Sequence, residues 1–116
     1  MSAKETEVLV IGAGPAGASL ALALAKAGIE TLVVDARDPK GTRPQDTRNY
    51  AVVTGSWRLL ERIGIAPALE GQTQPLHGLE ATDGGTHWFG QPHVLFDDED
   101  LPDREDGETL GHMVEA

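Results

Sequence analysis

The chain has 116 residues, no cysteine and a formal net charge of −10. That length suits one domain; the missing thiols exclude a disulfide framework and any cysteine-ligated zinc or iron–sulfur site, and suit a reducing, cytoplasmic setting. Between Asp97 and Glu108 eight acids face Arg104 alone, and an acidic chain without a basic patch argues against nucleic acid and anionic membrane as partners.

Lys4 followed by apolar residues resembles the start of a secretory leader, but Glu5 and Glu7 have the wrong sign and glycines and a proline interrupt the run. The longest unbroken apolar run there, Leu20 to Ala25, is far short of the ~20 residues that cross a bilayer. No transmembrane segment is expected, and peripheral membrane association of a longer protein stays open.

The first predicted element is a strand, VLVI from Val8 to Ile11, whose β-branched run suits burial on both faces. Gly12-Ala13-Gly14-Pro15-Ala16-Gly17 follows. Ala18 to Ala27 is built of strong helix formers and is stopped by Gly28. Thr31 to Val34 reads as a second strand with Asp35 at its C-terminal end, so 1–35 is a Rossmann-like βαβ unit. Residues 36–48 read as a loop with Pro39, Gly41 and Pro44.

Over 49–64 the apolar positions Tyr50, Val53, Trp57, Leu60 and Ile63 recur every three or four residues, which predicts an amphipathic helix ended by Gly64. Tyr50 and Trp57 read as core packing. Within 75–96 a β-hairpin or meander is expected: a strand over 76–82, a turn at 83–86, a return over 87–89 and a third strand over 93–96. The acidic stretch 97–109 reads as a solvated loop, and 110–116 as the start of another element. Histidines 77, 87, 93 and 112 lack metal-ligand spacing. No nucleophile–base arrangement is legible, which fits a protein whose cofactor carries the chemistry.

The glycine segment is G-x-G-x-x-G between a strand and a helix, and each part has a physical task. Gly12 permits a tight turn, Gly14 lets a pyrophosphate approach the backbone, and Gly17 lets helix and sheet pack closely. The N–H groups at the helix start, with the helix dipole, favour phosphate. Asp35 lies 18 residues after Gly17, near the spacing of about 20 expected for an acid that accepts from an adenosine ribose. An acid there also disfavours a 2′-phosphate, hence NADP, at this site. The phosphate loop G-x-x-x-x-G-K-[ST] is absent.

Several stretches together resemble the N-terminal segment of the flavin-dependent aromatic hydroxylases of the para-hydroxybenzoate hydroxylase class, and most nearly the ubiquinone-biosynthesis hydroxylases. They are VLVIGAGPAGASLALALAKAG, the strand ending in Asp35, DTRNYAVVTGSWRLLERIGI (46–65), PLHGLEATDGG (75–85) and LGHMVEA (110–116). The resemblance implies an α/β fold: an FAD-binding Rossmann-like unit, a helix, and a small β-meander leading toward a substrate sheet.

It further implies FAD as cofactor, NAD(P)H as electron donor, and O₂ as the source of the oxygen placed on an aromatic, quinone-precursor ring. By motif position Gly12, Gly14, Pro15, Ala16 and Gly17 would face the FAD pyrophosphate and Asp35 would hold the ribose. Arg48 would lie against the FAD, and Arg37 near the adenine. The family's later Gly-Asp and Asp-Gly motifs and its substrate sheet have no counterpart in these residues. The chain therefore reads as a fragment of a larger two-domain fold, inactive alone. Two other functions remain in view: a different FAD or NAD oxidoreductase, and a non-catalytic nucleotide-binding module.

Overall fold

The computed structural model describes residues 5–41, 47–82 and 93–115. The chain divides into two compact units: residues 1–45 with 62–64, and 46–61 with 65–116.

In the first unit, strand β1 (Val8–Ile11) pairs in parallel with β2 (Thr31–Val34), Val8 opposite Thr31 and Ile11 opposite Val34. Parallel pairing needs a crossover, and helix α1 (Pro15–Lys26) supplies it. The helix starts three residues before the expected Ala18, because Pro15 brings a helical φ and a missing N–H to a position where no intrahelical partner exists. At its other end the Gly28 N–H reaches the Ala25 carbonyl (3.0 Å) and the Ile29 N–H the Leu24 carbonyl (3.0 Å). This pair of bonds is a Schellman cap, which satisfies two of the last carbonyls.

The expectation that VLVI is buried on both faces does not hold. Val10 is 7% exposed, but Leu9 is 52% and Ile11 82% exposed. Helix α1 lies on the Val10 side, where a Cβ on Gly17 would sit 3.4 Å from Val10 Cγ1. Among the described residues of this unit one helix covers one face of a two-stranded sheet, so alternate residues of β1 stay open.

The second unit holds an antiparallel sheet in the order β3 (Asn49–Val53), β7 (Gly111–Glu115), β4 (Thr73–Leu76). It also holds an antiparallel pair, β5 (Gly78–Thr82) with β6 (His93–Asp97). The helix expected over 49–64 is corrected here: 49–53 is strand, and only Thr54–Arg62 is helix, α2. Tyr50, Val52 and Val53 are aromatic or β-branched and favour a pleated surface. With β7 beside them, alternate residues Tyr50 and Val52 turn inward while Val53 is exposed. The spacing of Tyr50 to Val53 matched a helix turn by coincidence.

Pro75 sits on β4, an edge strand, where its missing N–H removes no ladder bond from the sheet interior. The single strand expected over 76–82 is instead the end of β4 and all of β5. Its expected return at 87–89, with His87, lies outside the described residues, and β6 takes the pairing with β5. Within 110–116, expected only to begin an element, Gly111–Glu115 form the central strand.

Trp57 on α2 stacks on His112 of β7, with ring centroids 3.9 Å apart and planes 21° from parallel. Its indole N–H donates to Glu61 (3.1 Å). Burial holds the His112 imidazole below its ordinary pKa, so the stacked ring favours the neutral form.

Gly111 on β7 lies tight against the backbone of β3. A Cβ there would overlap the Val52 carbonyl oxygen and lie 2.9 Å from Val53 Cα. Gly111→Ala is expected to force the central strand away from β3 and to lower stability by about 1–3 kcal/mol, the usual cost of overpacking. A urea melt checks this; an unshifted midpoint would mean that the two strands separate at no cost.

The acidic stretch is mostly exposed, yet it is organised rather than merely solvated. Asp97 accepts from the Glu99 N–H (2.8 Å) while its own N–H donates to Asp100 (3.0 Å), closing a capping box on the 3-10 helix Asp98–Asp100. Arg58 on α2 forks onto Glu108, Nε at 2.6 Å and Nη2 at 2.5 Å, and Nη2 also donates to the Asp103 carbonyl (3.0 Å). Asp98 joins His77 (2.7 Å) to the Leu110 N–H (2.9 Å).

These bonds carry a pH signature. The Arg58 side-chain hydrogen bond, then the Glu105 N–H, hold the Glu108 carboxyl at about 2, below its ordinary 4.5. A depressed carboxyl contributes stability that is complete above the unfolded value and is lost as pH falls through the folded one. The anchoring of 103–108 is therefore expected to be constant above about pH 4.5 and to fail on approach to pH 2. The Arg58 Nε–H resonance should stay protected above about pH 4.5 and be lost only toward pH 2; its disappearance already at about pH 5 would refute the pairing.

Candidate functional site

The parallel ladder of β1 and β2 runs one step past the strands. The Gly12 N–H donates to the Val34 carbonyl at 2.7 Å. Gly12 then turns with φ of +100°, a conformation that L side chains rarely adopt, so the chain can leave the strand sharply only at a glycine. The next N–H, of Ala13, donates to Asp35 Oδ2 at 2.7 Å. Asp35 follows directly on β2, so its side chain extends the ladder where the backbone stops.

Gly14 is extended (φ −70°, ψ 179°) and stands at the N-cap of α1 without offering a side-chain cap. A Cβ on Gly14 would meet nothing within 4 Å, so the space above the loop is open. A Cβ on Gly17 would overlap the Gly12 carbonyl oxygen, so the helix rests on the loop itself. Pro15 has no N–H, and the N–H groups of Ala16 and Gly17 fall in the first turn, where a helix has no acceptor for them. No acid occupies that turn, and the basic residue of the helix, Lys26, is in the last one. The positive end of the dipole is thus uncovered where Gly14 leaves room, which suits a phosphate.

The Ala13 N–H bond, then the N–H and side chain of Arg37, hold the Asp35 carboxyl at about 2, below its ordinary 3.8. The group is an acceptor-only carboxylate at any physiological pH. Arg37 reaches Asp35 Oδ1 through its N–H (2.8 Å) and Nε (3.2 Å), while its side chain is 73% exposed.

The first unit therefore brings together Gly12, Gly14, Pro15, Ala16, Gly17, Asp35 and Arg37. Arg48 belongs to the second unit. It precedes a strand rather than a helix, and its guanidinium carbon lies 5.5 Å from the centroid of the Tyr50 ring. Asp46, two residues before Arg48, lies outside the described residues. Sequence reasoning missed Ala13. Its side chain is featureless, and the only signal was an acid placed where β2 ends beside the turn after β1.

A shallow depression of about 270 Å³ lined by Glu5, Thr6, Glu30, Thr31 and Leu32 lies at the N-terminal ends of the two strands. Ligands of such sheets bind at the carboxyl ends, and two glutamates would repel a phosphate. The glycine loop is the better candidate. Among the described residues no His, Asp and Glu cluster could hold a metal, and no helix is long and apolar enough to cross a membrane.

A family model described as an FAD binding domain matches residues 5–111. The chain is 36% identical to a ubiquinone hydroxylase of Rhodospirillum rubrum over 74% of this chain and 20% of that protein. It is 34% identical to an FAD-dependent monooxygenase of Penicillium canescens over 88% of this chain and 22% of that protein. It is 30% identical to the 3-demethoxyubiquinol 3-hydroxylase of Escherichia coli over 99% of this chain and 28% of that protein. The chain thus spans between about a fifth and somewhat over a quarter of the length of these relatives.

Proposed function

This chain belongs to the FAD-binding-domain family, and we propose that it is the FAD-binding portion of a flavin-dependent monooxygenase that hydroxylates an aromatic ring in ubiquinone biosynthesis. The observation that carries the reading is the open, uncapped glycine turn beside an ionised Asp35, in a chain related to ubiquinone hydroxylases. NAD(P)H and O₂ are the co-substrates proposed for the protein that carries this segment, a quinone precursor its substrate, and the cytoplasm its compartment. The chain by itself is expected not to turn over.

The residues fit the group. Ala16 and Gly17 offer N–H donors to the pyrophosphate over the open face of Gly14, with Pro15 fixing the turn. Asp35 accepts from a ribose hydroxyl, and its charge opposes a 2′-phosphate at the same place. Arg37 is the proposed contact near the adenine. When bound, FAD supplies the electron transfer and oxygen activation that no side chain of this segment provides.

Arg48 is the proposed contact from the second unit. A guanidinium can hold a phosphate oxygen with paired donors or lie flat on a ring. Arg48→Ala in a full-length relative is expected to weaken FAD binding by roughly ten- to a hundredfold, the worth of a charged hydrogen bond, with the apoprotein melt unchanged. Arg48→Lys should restore only part of the loss, and parental affinity in Arg48→Ala would remove Arg48 from the site.

The direct test of the reading is titration of the purified chain with FAD and with ADP, followed by the flavin spectrum and calorimetry. Saturable binding of both is expected. A folded chain that binds neither would sink the dinucleotide assignment; binding of ADP but never FAD would favour a nucleotide-binding module.

A further inference from the structure

The Asp35 carboxylate does two things in this structure, and the ribose contact proposed above uses only part of it. Its Oδ2 accepts from the Ala13 N–H at 2.7 Å, and its Oδ1 accepts twice from Arg37. A carboxylate has about four acceptor positions. Three are already filled from within the protein, so one is left for a ribose hydroxyl unless the exposed Arg37 side chain is displaced.

The Ala13 bond is the informative one. Ala13 lies between the two glycines that shape the turn. Gly12 is flexible by nature, and Gly14 contributes no side chain that could cap the helix. On one side the turn is held by the Gly12 N–H on the Val34 carbonyl, and on the other by the seating of Gly17 on the Gly12 carbonyl. The peptide between Gly12 and Gly14 has Asp35 as its tether. Without that acceptor the Ala13 N–H would have to find water, and the peptide could rotate. Rotation would move Gly14 and re-aim the first turn of α1.

We propose that Asp35 is a positioning residue for the phosphate site: through Oδ2 and the Ala13 N–H it holds the glycine turn in its phosphate-accepting shape before any nucleotide arrives. This rests on the dinucleotide reading and adds to it. The acid acts on the pyrophosphate end of the ligand through the loop, as well as on the ribose directly.

The two roles separate with a nucleotide that has no ribose hydroxyls. Calorimetry of ADP and of 2′,3′-dideoxy-ADP against the parent chain, Asp35→Ala and Asp35→Asn provides the comparison. If Asp35 served the ribose alone, dideoxy-ADP would bind Asp35→Ala and the parent equally well. We expect instead that Asp35→Ala weakens dideoxy-ADP by about tenfold, the effect of one lost charge-assisted bond, and ADP by more. Asp35→Asn keeps an oxygen for the Ala13 N–H, although its amide nitrogen opposes Arg37. It should recover most of the dideoxy-ADP affinity, which a general loss of stability would not predict.

Ala13 amide exchange in the ligand-free chain gives an independent readout, useful if Asp35→Ala folds poorly. Exchange should be slow in the parent, close to that in Asp35→Asn, and fast in Asp35→Ala. Equal dideoxy-ADP affinities in parent and Asp35→Ala, or fast Ala13 exchange in the parent itself, would overturn the inference and leave the ribose role standing. A parent chain that binds neither nucleotide would overturn the dinucleotide reading and this inference with it.

Discussion

Gly17→Ala is expected to damage fold and nucleotide binding together, although it adds a single methyl group. The added carbon would overlap the Gly12 carbonyl oxygen, with Val10 Cγ1 3.4 Å away on the other side. A backbone carbonyl cannot rotate away as the tip of a side chain can. The helix must therefore lift from β1, or the loop must give up its shape. Overpacking costs about 1–3 kcal/mol when side chains can adjust and occasionally more, against a total stability of roughly 5–15 kcal/mol for a domain. The expected result is a thermal melt shifted well below the parent, and ADP binding lost even at temperatures where the chain is still folded. Parental melting with parental ADP affinity would show that helix and loop are not in contact.

Gly14→Val should give the opposite pattern. The backbone at Gly14 is extended, a conformation that a β-branched residue adopts readily, and a Cβ there meets no atom within 4 Å. The fold should lose about 1 kcal/mol or less, the scale of an N-cap change. The side chain would fill the space through which a pyrophosphate must approach Ala16 and Gly17. FAD and ADP affinities are expected to fall by on the order of a hundredfold or more, at least about 2.7 kcal/mol. Calorimetry beside circular dichroism tests this. A valine variant that is native in spectrum and binds as the parent does would move the phosphate away from the loop. The two neighbouring glycines thus separate two roles of one motif: Gly17 accommodates the protein's own backbone, and Gly14 leaves room for a ligand.

The order of strand, turn, helix and strand over residues 8–35 was legible in the sequence because its determinants are local. A strand of β-branched residues, a glycine where φ is +100°, a proline at the first helical position and a glycine past the last one each specify backbone shape at their own place in the chain. The spacing from Gly17 to Asp35 follows from the length of helix plus strand, so the candidate residues of that unit could be named from the sequence. The family likeness was legible for the same reason, since it rests on these motifs.

The tertiary structure decided what depends on partners distant in sequence. Residues 49–53 carry apolar positions compatible with either period, and a strand that begins 58 residues after Val53, with Gly111 opposite Val53, made them β. Glu108 looked like one more solvated acid until Arg58, 50 residues away, forked onto it. The Ala13 side chain carried no signal, because what the residue contributes is a backbone N–H. Only the parallel register of β1 and β2 brings that N–H to Asp35. Local propensity selects turns and helix ends, since their cost is settled within a few bonds. Pairing and ion-pair choice are settled by which segments meet, and no window along the chain contains both halves of that choice.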